Sequence, residues 1–362
     1  MQVAKMATCT DDRKFCSRLW LQICAASFVF VCMTPSLLCA QSNENFPRKG
    51  MPNVQTFSSL FDPNYSHSYL KHASSFAFPH GVPLPGQVPD FDPVNAWWLA
   101  EISMLAYADG DGFVRRQLMS AGMLGVKMYS SPAGSSDHTQ AILTFNADAV
   151  IVAFRGTEPS EWRDLMTDMK ANQIELGTGG KVHAGFQSGL LSVWDKMKPE
   201  VERLSASGKS VWMTGHSLGA ALAVLAAHQY QKPANVYTFG APRIGDADFV
   251  ERYHQSTFRV VNNTDLVAEV PPPLWYQHVG ELIYFNSRHQ LCRNVPVSRL
   301  VKDKARGQSL AVTQRIKEWS QLDLDERPVK PLLDHAPICY VVHCWNSLVD
   351  QLPVTEHGAD TR

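Results

Sequence analysis

The chain has 362 residues, of which 45% are hydrophobic, 19% charged and 10% aromatic, and its formal net charge is −1. This composition excludes a disordered, collagenous or coiled-coil protein, and the length is ample for a closed core. A charge so near zero exerts no overall pull towards nucleic acid.

The first 40 residues read as a targeting segment. Lys5, Arg13, Lys14 and Arg18 precede a charge-free run, LWLQICAASFVFVCMTPSLLCA, over 19–40. A basic front, an apolar stretch and small residues at its end describe a secretory signal. A cut after Ser42 leaves Ala40-Gln41-Ser42, closer to the small-x-small pattern than a cut after Ala40. An uncleaved membrane anchor is the alternative, since about 20 apolar residues can span a bilayer. Export, to the periplasm or the medium, is the expectation. Removal of 1–40 takes away four of 33 bases and two of 34 acids, which leaves −3. Of eight cysteines, Cys292, Cys339 and Cys344 remain. An odd number is no disulfide scaffold. Two cysteines five apart on one helix sit too far apart to bridge, so Cys292 with either of the others is the only simple pairing.

Residues 41–90 are rich in Pro, Ser, Asn and Phe and hold no period of 2 or 3.6, which predicts an extended lead-in wrapping a domain at 91–350. A 12-residue tail, 351–362, follows. PVNAWWLAEISMLAYA predicts a helix after Asp92, closed by Asp109-Gly110. AILTFNADAVIVAF predicts a hairpin turning at Asn146-Ala147-Asp148. Polar DLMTDMKA is helical, KVHAGF strand-like, and GLLSVWDKMKPEVERL a helix stopped by Gly208. Then SVWMT, NVYTF, FRVVNN and LIYF are strands, with helices AALAVLAAHQY and DADFVERYH among them. Alternating strands and helices predict an α/β domain with a mostly parallel sheet flanked by helices. Neither an internal repeat nor a Gly-rich phosphate loop is present.

Gly215-His216-Ser217-Leu218-Gly219 matches G-x-S-x-G between a predicted strand and an Ala-rich helix, the setting a nucleophile elbow requires. The tight turn needs glycine on both sides of Ser217, and the helix that starts there offers free N–H groups to an anion. The N–H of Leu218 is one candidate oxyanion donor. A serine hydroxyl needs a base, and the base needs an orienting carboxylate. On this fold the chain order is Ser, Asp or Glu, then His. His216 is therefore excluded as the base and is expected to pack under the elbow. Asp265, in the loop after the strand 258–262, is the best-placed acid. Asp246 and Asp248 begin a helix and read as caps. Order alone does not separate His335 from His343. His335, between Pro331 and Pro337, is favoured, because His343 lies inside the apolar run ICYVVHCW.

These blocks resemble the class 3 lipases, the group typified by small fungal triacylglycerol lipases. The resemblance spans about 92–345 and rests on Ala153-Phe154-Arg155-Gly156-Thr157, Val182-His183-Ala184-Gly185-Phe186, the elbow, Thr238 to Gly245, Arg259-Val260-Val261-Asn262 with Asp265, and Asp334-His335 with Tyr340. It implies an α/β-hydrolase fold, the triad Ser217, Asp265 and His335, and Thr157 as second oxyanion donor. It implies a lipid or other ester substrate met at an interface, and the residues call for no cofactor. It also puts a lid after the Arg-Gly-Thr block, where Trp162, Leu165, Met166 and Met169 share one helical face. A phospholipase A1, a feruloyl-type esterase and a non-catalytic binding protein on a hydrolase scaffold are the competing readings. A metal site from His335, Cys339, His343 and Cys344 would take the predicted base.

The stretch from Asp265 to His335 is longer than in compact members. It holds a basic insertion at 288–330, in which 288–317 carries eight Lys/Arg against Asp303 alone. Val297, Leu300 and Val301 are expected to form one apolar face before Gly307, and Val312, Ile316 and Trp319 another after it. Such a segment predicts peripheral contact with a membrane surface, or pairing with Glu318, Asp323, Asp325 and Glu326.

Overall fold

Asp92 ends the lead-in by capping the first helix. Its carboxylate accepts from the N–H groups of Val94 and Asn95, and Pro93 occupies the first turn, where its missing N–H costs nothing. The helix, α1 (Pro93–Leu105), is buried along nearly all its length. A shorter helix, α2 (Asp111–Ser120), and an edge strand, β1 (Gly125–Ser130), follow; their largely polar sequences carry little periodic signal. The predicted hairpin is β2 (Gln140–Phe145) and β3 (Ala149–Phe154), paired antiparallel. Asn146 shapes its turn by accepting from the N–H groups of Asp148 and Ala149.

The computed structural model describes residues 58–63, 67–81, 89–135, 138–157, 172–318 and 330–352. The targeting segment, the lid candidates Trp162, Leu165, Met166 and Met169, the acids 323–326, Trp319 and the tail from 353 lie outside them. All the described residues belong to one compact unit, Lys49–Arg362.

KVHAGF divides. Lys181–His183 is β5, paired with β4 (Gln173–Glu175), but Ala184, Gly185 and Phe186 open the long helix α3 (Ala184–Ser205). Only Val182 and His183 of β5 are buried, so three residues satisfy the short ladder. Then come β6 (Ser210–His216), α4 (Leu218–Tyr230), β7 (Asn235–Phe239), α5 (Ala247–Arg252), β8 (Ser256–Asn262), β9 (Glu281–Phe285) and β10 (Leu291–Arg293). Three helices close the chain: α6 (Val297–Glu318), α7 (Lys330–His335) and α8 (Pro337–Asp350). Asp246 caps α5, as expected, by accepting from Phe249 N–H.

The main sheet has the order β1-β2-β3-β6-β7-β8-β9-β10. Its centre, β3-β6-β7-β8-β9, is parallel, and both edges are antiparallel. Period-2 alternation divides the strands between two cores. Val150, Val152, Val211, Met213 and Val236 pack with Leu190 and Trp194 of α3 and Leu222 and Leu225 of α4. On the other face Trp212 meets Phe78 and Tyr237, and α1 packs against α8 through Trp97 and Trp345, ring centroids 5.2 Å apart. The lead-in departs from the extended form expected of it. It contains two 3-10 helices, Ser58–Phe61 and His67–Ser75, and Phe76 accepts from the indole N–H of Trp98.

The basic segment also differs from expectation. Its first residues belong to the sheet as β10, and α6 runs through Gly307 without a break. Leu300 turns inward against Val261, Ala268 and Tyr284, whereas Val297 and Val301 are exposed. Cys292, Cys339 and Cys344 are all free thiols, so the pairing does not form.

Candidate active site

Strand β6 ends at His216 and α4 starts at Leu218, so Ser217 makes the whole turn alone, at φ 59° and ψ −127°. Positive φ in a non-glycine residue is strained, and such strain persists only where the surroundings enforce it. Here the surroundings are backbone. A Cβ on Gly215 would run into the Gly219 carbonyl, and one on Gly219 into the Phe154 carbonyl. Ser217 N–H donates to Phe239 O at 2.9 Å, which ties the turn to β7. The Ser217 hydroxyl is buried and makes no hydrogen bond among the described residues.

Thr157 follows β3, the neighbour of β6. Gly156 lies against the elbow, since a Cβ there would meet the Tyr107 hydroxyl, the His216 carbonyl and Ser217 Cβ. The Thr157 hydroxyl is a second buried group without a hydrogen bond among the described residues. Leu218, at the first position of α4, has a main-chain N–H among those a helix leaves unused.

Asp265 lies just past the end of β8 and is fully buried. The ring of His335, 70 residues later, sits within 2.8 and 2.9 Å of its two carboxylate oxygens through Nδ1. Val267 N–H donates to Oδ1 at 2.8 Å, and the Tyr340 hydroxyl donates to Oδ2. Burial and the adjacent Asp265 charge push the Tyr340 phenol well above its usual pKa, so it remains a donor. The pair fits only because Gly240, at φ 60° after β7, has no Cβ to meet Asp265 and the His335 ring.

His335 is the last residue of α7 rather than part of a loop. Its place is held from outside the helix. Asp334 accepts from Thr264 N–H and hydroxyl, and Asn262 donates to Asp334 O at 2.9 Å. His343 sits apart in α8, stacked on His289 at 4.3 Å and tilted against Phe285. The tertiary structure thus brings His335, and not His343, to Asp265.

His216 packs under the elbow as expected, and joins more than the sequence suggested. Its ring lies 4.3 Å from that of His335, and its Nε2 is 2.6 Å from the His335 carbonyl. A carbonyl only accepts, so Nε2 carries the proton and Nδ1 accepts from the Tyr107 hydroxyl at 2.8 Å. Burial, then the neighbouring His335, lowers its pKa well below the ordinary histidine value, and His216 is neutral. Tyr107, Gly240 and Asp334 were given no role by the sequence. Gly240 and Asp334 stood inside quoted motif blocks, and Tyr107 at the end of the first predicted helix, with nothing to mark their contacts.

A mostly parallel sheet with a strained serine between its central strand and the following helix is the arrangement of the α/β-hydrolase fold. Residues 151–275 match the family model described as lipase (class 3). The chain is 34% identical over 149 residues to phospholipase A(1) DAD1, chloroplastic, of Arabidopsis thaliana, covering 34% of this chain and 33% of that one. It is 31% identical over 146 residues to secreted mono- and diacylglycerol lipase 1 of Fusarium solani, covering 36% and 42%. Among solved structures, a Rhizomucor miehei triacylglyceride lipase is 20% identical, with 70% of this chain and 99% of that one covered and a TM-score of 0.49. The chain spans between 33% and 42% of the length of these two curated relatives.

Proposed function

We propose that this chain is a serine carboxylic-ester hydrolase acting on acylglycerols, with Ser217 as nucleophile, His335 as base and Asp265 as the carboxylate that orients it. The observation that carries the reading is the buried Asp265–His335 pair together with a strained serine whose hydroxyl makes no hydrogen bond among the described residues. His335 Nε2 takes the Ser217 proton as Oγ attacks the ester carbonyl. The N–H groups of Leu218 and Thr157 hold the oxyanion, each worth about 3 kcal/mol in the transition state. His335 then gives the proton to the leaving alcohol. Water, deprotonated by the same ring, releases the acid from the acyl-enzyme.

The substrate part of this reading is tested with triolein, phosphatidylcholine and a series of p-nitrophenyl esters, each with Ser217→Ala as control. Acylglycerol turnover should exceed that of phosphatidylcholine, and Ser217→Ala should lose about 10⁶ in kcat. Residual activity near one tenth would remove Ser217 from the mechanism. Preference for phosphatidylcholine would make the enzyme a phospholipase A1, in line with the name of the Arabidopsis relative.

Export follows from the basic and apolar run over 1–40 and from the likeness to a relative named as secreted. Among the described residues no helix is long and apolar enough to cross a membrane. N-terminal sequencing of the exported protein should begin after Ala40 or Ser42. An intact chain in the membrane fraction means an anchor.

A further inference from the structure

The basic segment between the proposed acid and base is not loosely attached. Along α6, Leu300, Asp303, Lys304 and Gly307 recur at i, i+3, i+4 and i+7 and face the domain. Asp303 accepts from the side chains of Asn263, Tyr284 and Ser287 at 2.7–2.9 Å, and from Ser287 N–H. Lys304 pairs with Glu269, and Gly307 lies so close to Asn263 that a Cβ would collide with its amide oxygen. Asn263 and Glu269 both belong to the loop that carries Asp265. The helix is thus clamped to the acid loop by its inward face.

This clamp decides what the outward face presents. Asp303 is the one acid among residues 288–317, and it is engaged inward. Arg299 and Lys302 are exposed and form no ion pair among the described residues, and Arg306 is exposed beside Asp303. Val297 and Val301, one turn apart on the same outward arc, are 75% and 60% exposed. Over residues 297–306 the outward surface of α6 is therefore basic and apolar, and the one carboxylate in that stretch, Asp303, is turned inward.

We propose that the outward face of α6 over residues 297–306 docks on an anionic phospholipid bilayer. Cations would meet the lipid phosphates while the valines enter the headgroup boundary, the division of labour of an interfacial helix. The proposal rests on the hydrolase reading for its purpose, since a bilayer is where an ester substrate would be met.

The test is co-sedimentation of the full chain with vesicles of phosphatidylcholine alone or mixed with phosphatidylglycerol, at low and high salt. The comparison is with Arg299→Gln/Lys302→Gln and with Val297→Ser/Val301→Ser. All four sites are exposed, and any contribution from residues 1–40 is common to the three proteins. Wild type should prefer the phosphatidylglycerol vesicles, and lose that preference near 1 M salt, where the Debye length is about 3 Å. The charge variant should bind them about fivefold more weakly per cation removed, equivalent to about 1 kcal/mol each. The valine variant should weaken on both vesicle types. Equal binding by all three proteins would overturn the proposal. Turnover of a soluble p-nitrophenyl ester should be unchanged in both variants. Its loss would place the effect in the catalytic fold and overturn docking. Salt-sensitive binding by a wild type that hydrolyses no ester would leave the docking face standing and remove the hydrolase reading.

Discussion

The proposed nucleophile and the proposed base reach the same end of the sheet by different means. The elbow is one continuous strand–turn–helix, Ser210 to Tyr230, and its geometry is enforced at close range by the main chain around Gly215 and Gly219. The base side is assembled from distant pieces. His335 meets an acid 70 residues earlier, across a gap left by Gly240, and is steadied by Asn262, Thr264 and Tyr340. Local strain sets the serine, and a web of long-range hydrogen bonds sets the histidine. The first should tolerate almost no side-chain volume, and the second should be sensitive to the loss of single polar atoms.

The sharpest way to break this contrast is within the base side itself. His335→Ala should lower kcat by about 10⁶, as removal of a triad base does. His343→Ala should leave kcat near wild type and cost roughly 1–3 kcal/mol of stability in urea unfolding, since it removes a buried stacked ring. If the two results come out reversed, His343 is the base. Asp265→Asn should lower kcat by about 10⁴, because an amide in that place favours the wrong imidazole tautomer. A loss under tenfold would show that another carboxylate orients the ring.

Glycine substitutions compare the two regions directly. Gly219→Ala should destabilise by about 1–3 kcal/mol or more, because its Cβ meets the fixed Phe154 carbonyl. Gly307→Ala should cost less, because its Cβ meets the Asn263 side chain, which can turn away. Urea midpoints measure both, and a larger loss at Gly307 would mean that the helix clamp is the stiffer region.

The smallest effect is a slope with pH. His216 under the elbow and His278 under the acid loop both have pKa values lowered well below normal, first by burial, then by His335 and by Arg259 respectively. Below about pH 6.5 the unfolded chain takes up protons at these histidines that the native chain does not. Stability therefore falls as pH falls through that point, by at most about 1.4 kcal/mol per pH unit for each histidine. His278→Gln should flatten the slope measured between pH 6.5 and 5. An unchanged slope would mean that His278 is protonated in the folded protein.

The sequence by itself determined the alternation of strands and helices and marked the elbow and the proposed acid after β8. Their signals are local, namely glycines flanking Ser217, Asn146 in its turn and an aspartate at a strand end, although Phe154 and Phe239 of neighbouring strands also hold the elbow. It ranked His335 above His343 only by setting, because the discriminating hydrogen bond joins residues 70 apart. Tyr107, Gly240 and Asp334 stayed without roles for the same reason, since each acts on a different element from its own. The face of α6 shows the limit most plainly. Val297, Leu300 and Val301 are equivalent as an apolar pattern. Tertiary structure alone turned Leu300 in and left both valines out, because Asn263, Tyr284 and Ser287 bind Asp303 and fix how the helix is rotated about its axis.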